Sequence, residues 1–488
     1  MTCLSRRALA TLPVSVETPT YRDDVQIGIV HFGVGGFHRS HEAMYVDRIL
    51  AAGHTDWGIC GVGVMAGDTR MRDVLESQDY LYTLVTRDTD GTTHARVIGS
   101  IADFLYAPDD PQAVLDQLAA STTRIVSLTI TEGGYSINDA TGRFDPSDPD
   151  TLHDLTCGGE LPRSVLGFIT AALARRRSLG IFPFTVMSCD NIEHNGSVAR
   201  TAVTAFAERK DPALAAWIRD TVAFPSSMVD RITPVTTTET IGTVAATFGV
   251  EDQWPVQSES FEQWVLEDHF TLGRPPFEQV GVQIVDDVEP YELMKLRLLN
   301  ASHQVMSYLG ILAGHTYVHE VFDDSDLDAF VMSYMRREAT PTLRPVPGVD
   351  LARYRTQLRE RFASNSIRDT LARQIVNASD RIPKFLLPVA CEQLERGGSI
   401  DHIALVLAAW CTVIDSEDLD VPLIDGRGDQ LLEFARHDRD RPGAFLGNST
   451  IFGDLVTSTT LHVAYCAAKQ ALHEHGPRTA ARLVTATT

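Results

Sequence analysis

The segment Pro290-Tyr-Glu292-Leu-Met-Lys295-Leu-Arg-Leu-Leu-Asn300-Ala-Ser-His303 carries the side chains best suited to chemistry in this chain. At about 100° per residue on an α-helix, Lys295, Asn300 and His303 fall within a sector of roughly 140° that also carries leucines. Three unlike polar groups on one arc suit proton transfer at an alcohol. A lysine sheltered from water can be poised as a base, and a neighbouring amide can hold a developing alkoxide. The same spacing also fits a structural helix whose lysine snorkels and whose Asn and His bond local backbone. Two further polar clusters stand out. Ser188-Cys-Asp190-Asn191 closes an apolar strand, where α/β sites gather. Met228-Val-Asp230-Arg231 follows Pro225 in an expected loop, and either cluster could be a turn signal alone.

Gly33-Val-Gly35-Gly36-Phe37-His38 follows directly on the apolar run Ile27–Phe32 and precedes a helical pattern. Gly33 permits a tight turn, and Gly35 lets backbone approach a pyrophosphate. The helix start beyond them offers free N–H groups and a positive dipole end. His38 stands where the G-x-G-x-x-G fingerprint has its third glycine, so the match is incomplete. An acidic residue is expected past the second strand to bind ribose hydroxyls. Asp68 is the candidate, although it lies later than the usual spacing of about 20 residues. A plain surface turn is the alternative, and nearby Arg70 could instead serve a phosphate. His315-x-x-x-His319-Glu320 has helical spacing for a metal but lacks an apparent third ligand, so no metal is expected. Cys189 reads as a small buried hydrophobe, and the absence of G-x-S-x-G disfavours serine hydrolysis.

These groups need a scaffold. Ile27–Phe32, Trp57–Val64, Arg124–Ile130 and Phe182–Ser188 read as strands, with helices over Glu42–Ala52 and Pro162–Leu179. Continuous apolar strands alternating with helices argue for an α/β, Rossmann-like parallel sheet covered on both faces. From about Glu289 strand signals nearly vanish. Helices are expected over Glu292–Leu312, Leu327–Arg337, Leu351–Ser364, Ile367–Ala378, Val389–Arg396 and Ile400–Ile414. The acidic, proline-bearing stretch Asp286–Pro290 marks the boundary. The expected plan is a dinucleotide-binding domain over 1–287 and a mostly α-helical domain over 288–488.

Composition narrows the function classes. The 488 residues carry a formal net charge of -23, which opposes nucleic-acid binding and docking on anionic membranes. Apolar runs are too short for a membrane span. Seven dispersed cysteines without C-x-x-C fit a reducing, cytoplasmic setting. No obligatory protein partner is evident.

Taken in order, His31–Ser40, Thr129–Tyr135, Thr185–Asn191, Met228–Pro234, Phe261–Glu267 and Lys295–His303 resemble the polyol-specific long-chain dehydrogenases over almost the whole chain. The resemblance implies an NAD-linked, metal-independent oxidoreductase acting on a small polyol or ketose. In that family pattern Lys295 is the general base, and Asn191 and Asn300 hold the reacting oxygen. His303 and Asp230 orient substrate, Glu292 relays the proton, and Arg373 and Arg381 bind distal hydroxyls. A lysine stands at the position of Arg381 in the family member compared, so the far end of the pocket departs from the pattern. A neutral linear polyol such as mannitol or D-arabinitol is the expected substrate. The alternatives are a fructuronate-type sugar acid, gripped by the two arginines, and a non-catalytic dinucleotide-binding sensor.

Overall fold

Consecutive apolar, β-branched residues favour a strand covered on both faces, and Ile27–Phe32 takes that place at the centre of a sheet. The computed structural model describes residues 2–21, 24–138, 141–157, 161–366, 368–419 and 421–487. The chain divides into two compact units, Met1–Val288 and Glu289–Thr488. In the first, β1 (Ile27–Phe32), β2 (Gly58–Gly63), β3 (Ile101–Tyr106), β4 (Ile125–Leu128) and β5 (Thr185–Ser188) form an all-parallel sheet ordered β5-β4-β1-β2-β3. The order reverses between β1 and β4, a switch point where α/β folds take ligands beyond the strand ends. Thus the Rossmann-type class expected from the sequence is the one observed.

Helices cover both faces. After β1 the chain forms α1 (Gly36–Ser40) and α2 (Glu42–Ala51), whose Met44, Tyr45, Ile49 and Leu50 pack with Trp264 and Phe277. The other face receives α3 (Val165–Ser178) and α4 (Asn195–Lys210) through Phe168, Leu173, Val203 and Phe206. Each such buried side chain contributes about 1.5–3 kcal/mol relative to exposure. Ser164 caps α3, its hydroxyl accepting from Gly167 N–H at 3.1 Å.

Several elements carry no signal in the local sequence pattern. Strand β3 is one, and the antiparallel pair Tyr82–Arg87 and Thr93–Ile98 is another. Met228–Arg231, expected as loop, is largely strand β6 (Ser227–Asp230), paired antiparallel with β7 (Gln263–Glu267). That partner lies far along the chain, so nothing nearby announces the pairing.

The second unit is helical, and among the described residues no strand follows Val285. The expected helix 292–312 is three segments in one rod. These are α5 (Glu289–Met294), a π-helical turn over Lys295–Asn300 and α6 (Ala301–Leu312). The expected helix 367–378 is corrected to a short α7 (Leu371–Gln374), and Ile367 lies outside the described residues. Asn377 adopts a left-handed φ of 53° and donates to Ile424 O at 2.9 Å, which breaks the helix before α8 (Ala378–Arg381). Helices Gly428–Asp440 and Thr459–Thr487 are further additions to the expected set. No helix among the described residues is long and apolar enough to cross a membrane.

One position tests how rigid the switch point is. Gly33 has φ 95°, and a Cβ there would sit 2.1 Å from the Thr129 carbonyl oxygen. Gly33→Ala is expected to cost about 1–3 kcal/mol, read as a lower urea midpoint. An unchanged midpoint would show that the turn relaxes without strain.

Candidate functional site

In the first unit the glycine turn closes the C-terminal end of β1. Gly33 is pressed against β4, while a Cβ on Gly35 would meet nothing nearer than Gly33 O at 3.8 Å. One glycine is required by the protein, and the other leaves backbone open to an approaching group. Gly36 begins α1, and Phe37 stacks on His41 with ring centroids 5.0 Å apart. Asp68 sits just beyond β2. Its Oδ2 accepts from Val64 and Met65 N–H, each at 2.9 Å, and its Oδ1 makes no hydrogen bond among the described residues. The Arg70 guanidinium lies 4.3 Å from the Trp254 ring centre, a cation–π contact.

Beneath the turn lies a polar trio that sequence patterns do not reveal. His31 on β1 and His38 on α1 stack with centroids 3.5 Å apart and planes 15° from parallel. Glu42 Oε2 lies 3.1 Å from His31 Nδ1 and 3.2 Å from His38 Nδ1. All three side chains are at most 1% exposed. Burial pushes the Glu42 carboxyl up, but its bonds to His31 and His38 outweigh that and hold it well below the usual range. His38 is lowered to about 4 by burial and by His31, so it donates to Glu42 as a neutral ring. Three donor atoms this close resemble a metal set. Stacked rings point their lone pairs side by side rather than at one ion, so hydrogen bonding explains them better.

The neighbouring polar cluster at the end of β5 separates into parts. Asp190 Oδ2 accepts from Ile130 N–H at 3.0 Å and Tyr135 O–H at 2.7 Å, and Oδ1 accepts from Thr131 N–H at 2.9 Å. It ties down the loop after β4. Cys189 is buried, as expected, and Asn191 is exposed at the strand end. Asp230, at the end of β6, is buried.

In the second unit Glu292, Lys295 and Asn300 are all buried. Within the π turn Ala301 N–H donates to Leu296 O, an i to i−5 bond. A π turn holds more residues than an α turn, so Asn300 falls nearer the Lys295 face than the roughly 140° that α geometry gives. His303, partly buried, meets Phe362 edge-on at 5.0 Å. Neither the Asn300 amide nor the His303 ring makes a hydrogen bond among the described residues. Burial lowers His303 to about 4, with Arg373, Arg381 and Arg361 adding to the shift and Asp369 opposing it. Arg373 is held by Asp369 through two bonds of 2.7 Å, and Arg381 Nη1 donates to Gln374 O at 3.0 Å. Asp380, next to Arg381 in the chain, bonds Arg427. His315 and Glu320 do not converge. Glu320 accepts from Thr316 and Tyr317 N–H, while His315 Nε2 lies 3.3 Å from both Asp324 and Arg478.

A parallel sheet with a glycine turn at its switch point defines a Rossmann-type nucleotide-binding protein. Comparison with known proteins narrows the class. Residues 27–279 match the mannitol dehydrogenase Rossmann domain and residues 287–472 the mannitol dehydrogenase C-terminal domain. The chain belongs to the mannitol dehydrogenase family. It is 49% identical over 401 residues to a mannitol 2-dehydrogenase of Phaeosphaeria nodorum, covering 81% of this chain and 70% of that one. A mannitol dehydrogenase of Saccharomyces cerevisiae is 46% identical over 422 residues, covering 86% and 84%. The Pseudomonas fluorescens mannitol 2-dehydrogenase, solved as a ternary complex with NAD and D-mannitol, superposes with TM-score 0.90 at 42% identity over 100% of both chains. A D-sorbitol dehydrogenase gives TM-score 0.90 at 37% identity, covering 98% and 99%.

The buried histidines set a pH response. His38 and His303 lie near 4, and burial lowers His41 to about 3. The native state therefore binds fewer protons than the unfolded chain below about pH 6.5. Their stabilisation is present above that pH and lost as pH falls towards about 4. Glu42, also lowered, adds to the loss below about pH 4.3, whereas Asp190 and Asp252, raised by burial, oppose it. The thermal midpoint should fall steadily from about pH 6.5 to about pH 4, and a flat profile there would contradict these assignments.

Proposed function

We propose that this chain oxidises a neutral linear polyol of the mannitol or D-arabinitol type at a secondary hydroxyl to the 2-ketose, with Lys295 as base and no metal. It is an NAD-dependent polyol dehydrogenase, a class supported by its family and by relatives named mannitol 2-dehydrogenase over most of its length. The turn of Gly33, Gly35, Gly36 and Phe37 fits a dinucleotide: it has a bare-backbone face and the start of a helix. The nicotinamide of bound NAD supplies the hydride acceptor. Asp68 accepts from the ribose diol through its remaining oxygen and repels a 2′-phosphate.

The π turn carries the chemical reading. It turns Asn300 toward the Lys295 face of a buried helix and leaves the Asn300 amide without another bond among the described residues. Lys295 takes the hydroxyl proton, and Glu292, one turn earlier, passes it on. The Asn300 amide donates to the oxygen as charge develops. His303, neutral near pH 7, orients substrate by donating or accepting one bond. Asn191 remains assigned to the reacting oxygen, and Asp230 to substrate, on the family pattern. Arg373 and Arg381 take distal hydroxyls.

Lys295→Ala should lower polyol oxidation by about 10²–10⁴-fold while NAD still binds, measured by titration. Near-normal turnover in the variant would remove Lys295 from the role. Activity should also survive exhaustive EDTA dialysis. Loss of activity that zinc restores would point to a metal.

The bidentate grip of Asp369 on Arg373 favours a neutral substrate, because its carboxylate already offsets the guanidinium charge and occupies the Nε/Nη2 edge. Reduction of fructose, xylulose and fructuronate by NADH separates the possibilities. A keto-sugar should lead in kcat/KM. Fructuronate ahead by about tenfold, roughly 1.4 kcal/mol in transition-state binding, would make the arginines carboxylate ligands.

A further inference from the structure

Two atoms in the trio beneath the glycine turn, His38 Nε2 and Glu42 Oε1, are buried without a hydrogen-bond partner among the described residues. A buried polar atom left unpaired destabilises the fold, since it has lost water and gained no partner. An apolar or glycine packing would avoid that cost, so the trio needs a compensating role. Its connections show where the restraint is delivered. His31 Nε2 lies 3.0 Å from Thr129 Oγ1, and the Thr129 hydroxyl donates to Gly33 O at 2.7 Å. His31 Nδ1 lies 2.8 Å from Ser127 Oγ on β4, which ties the two strands at the switch point. His38 sits over this network from α1, and its N–H to Glu42 fixes the start of α2. Between them, the three side chains hold the carbonyl of Gly33 and the helix beyond it.

We propose that His31, His38 and Glu42 are positioning residues for the cofactor, a strut that presets the glycine turn to receive a dinucleotide pyrophosphate. The strut rests on the NAD-dependent reading of the same site. In the usual fingerprint the third glycine lets helix and strand approach closely. Here a stacked imidazole pair spans the same junction, so the turn keeps its shape through side chains. Restoring glycine should therefore harm binding, whereas mere tolerance of His38 predicts that it is harmless. Presetting a binding segment contributes to affinity by reducing what must be ordered on binding.

The test uses the full-length protein and NAD titrated by calorimetry. His38→Gly should raise the Kd for NAD by about tenfold or more. It should leave kcat at saturating NAD and the polyol KM within about twofold of wild type. His38→Phe, which keeps the stacked ring, should recover most of the affinity. If His38→Gly does not fold, Glu42→Gln supplies the same comparison, with NAD affinity falling more than kcat. A His38→Gly protein that binds NAD as tightly as wild type overturns the strut alone, and so does one whose kcat and polyol KM worsen in step with Kd. A wild-type protein that does not bind NAD overturns the functional reading and the strut with it.

Discussion

The nucleotide-binding unit depends on one close approach, the backbone of Gly33 against the carbonyl of Thr129 across the gap between β1 and β4. Strand pairing brings the two segments there in register, with Phe32 opposite Leu128 and Thr129 N–H donating to Phe32 O at 3.0 Å. At that separation no Cβ fits, and the chain must leave β1 with positive φ. The turn then delivers α1 directly over the strand ends. Side chains beneath so tight a crossing have little access to water, so the polar ones must satisfy each other. The stacked histidines and the shared carboxylate are that solution, reached with two atoms left unpaired among the described residues.

A different constraint governs the helical unit. A π turn is rare and less well hydrogen-bonded than α-helix, so it persists where surroundings demand it. All six residues from Lys295 to Asn300 are buried. The Arg297 guanidinium donates to Glu392 and to Thr342 O, and the Arg297 carbonyl accepts from the Tyr334 hydroxyl at 3.3 Å. Two other π turns, Met335–Ala339 and Ile382–Leu386, pack against this one. The helices around the candidate base thus share one irregularity. Each extra residue in a turn rotates the downstream helix and resets which side chains share a face.

This difference explains what the sequence could show. Strand, glycine turn and helix lie consecutively between Ile27 and Ala51, and their signals are local, so they are legible. The helical rod of Lys295 is legible too, because leucines mark its buried side. Its π turn is not, since one inserted residue barely alters apolar periodicity. Arg373 illustrates another gap. Asp369 lies four residues before it, ordinary ion-pair spacing on a helix, yet α7 begins only at Leu371, so Asp369 joins the pair from ahead of the helix and not along it. The trio is invisible for a plainer reason: His31 belongs to a strand and His38 to a helix, and no periodicity links them.

The acidity of the chain sharpens one further point. A protein with net charge -23 that receives a doubly charged pyrophosphate would be expected to line the turn with free cations. Instead the buried arginines nearby serve the scaffold. Arg39 Nη1 donates to Trp254 O at 2.5 Å. Arg231 Nη1 donates to Ser40 O at 2.6 Å, and its Nε to Glu259 O at 3.1 Å. The Ser40 carbonyl ends α1, so Arg231 places its charge at the negative end of the very helix that starts at the glycines. The arginine of the Met228–Arg231 cluster therefore stabilises the helix that an anion would approach from its other end. Backbone N–H groups at a helix start can bind phosphate by direction as much as by charge. Recognition of that kind acts at contact, so the long-range field of an acidic protein need not favour the anion.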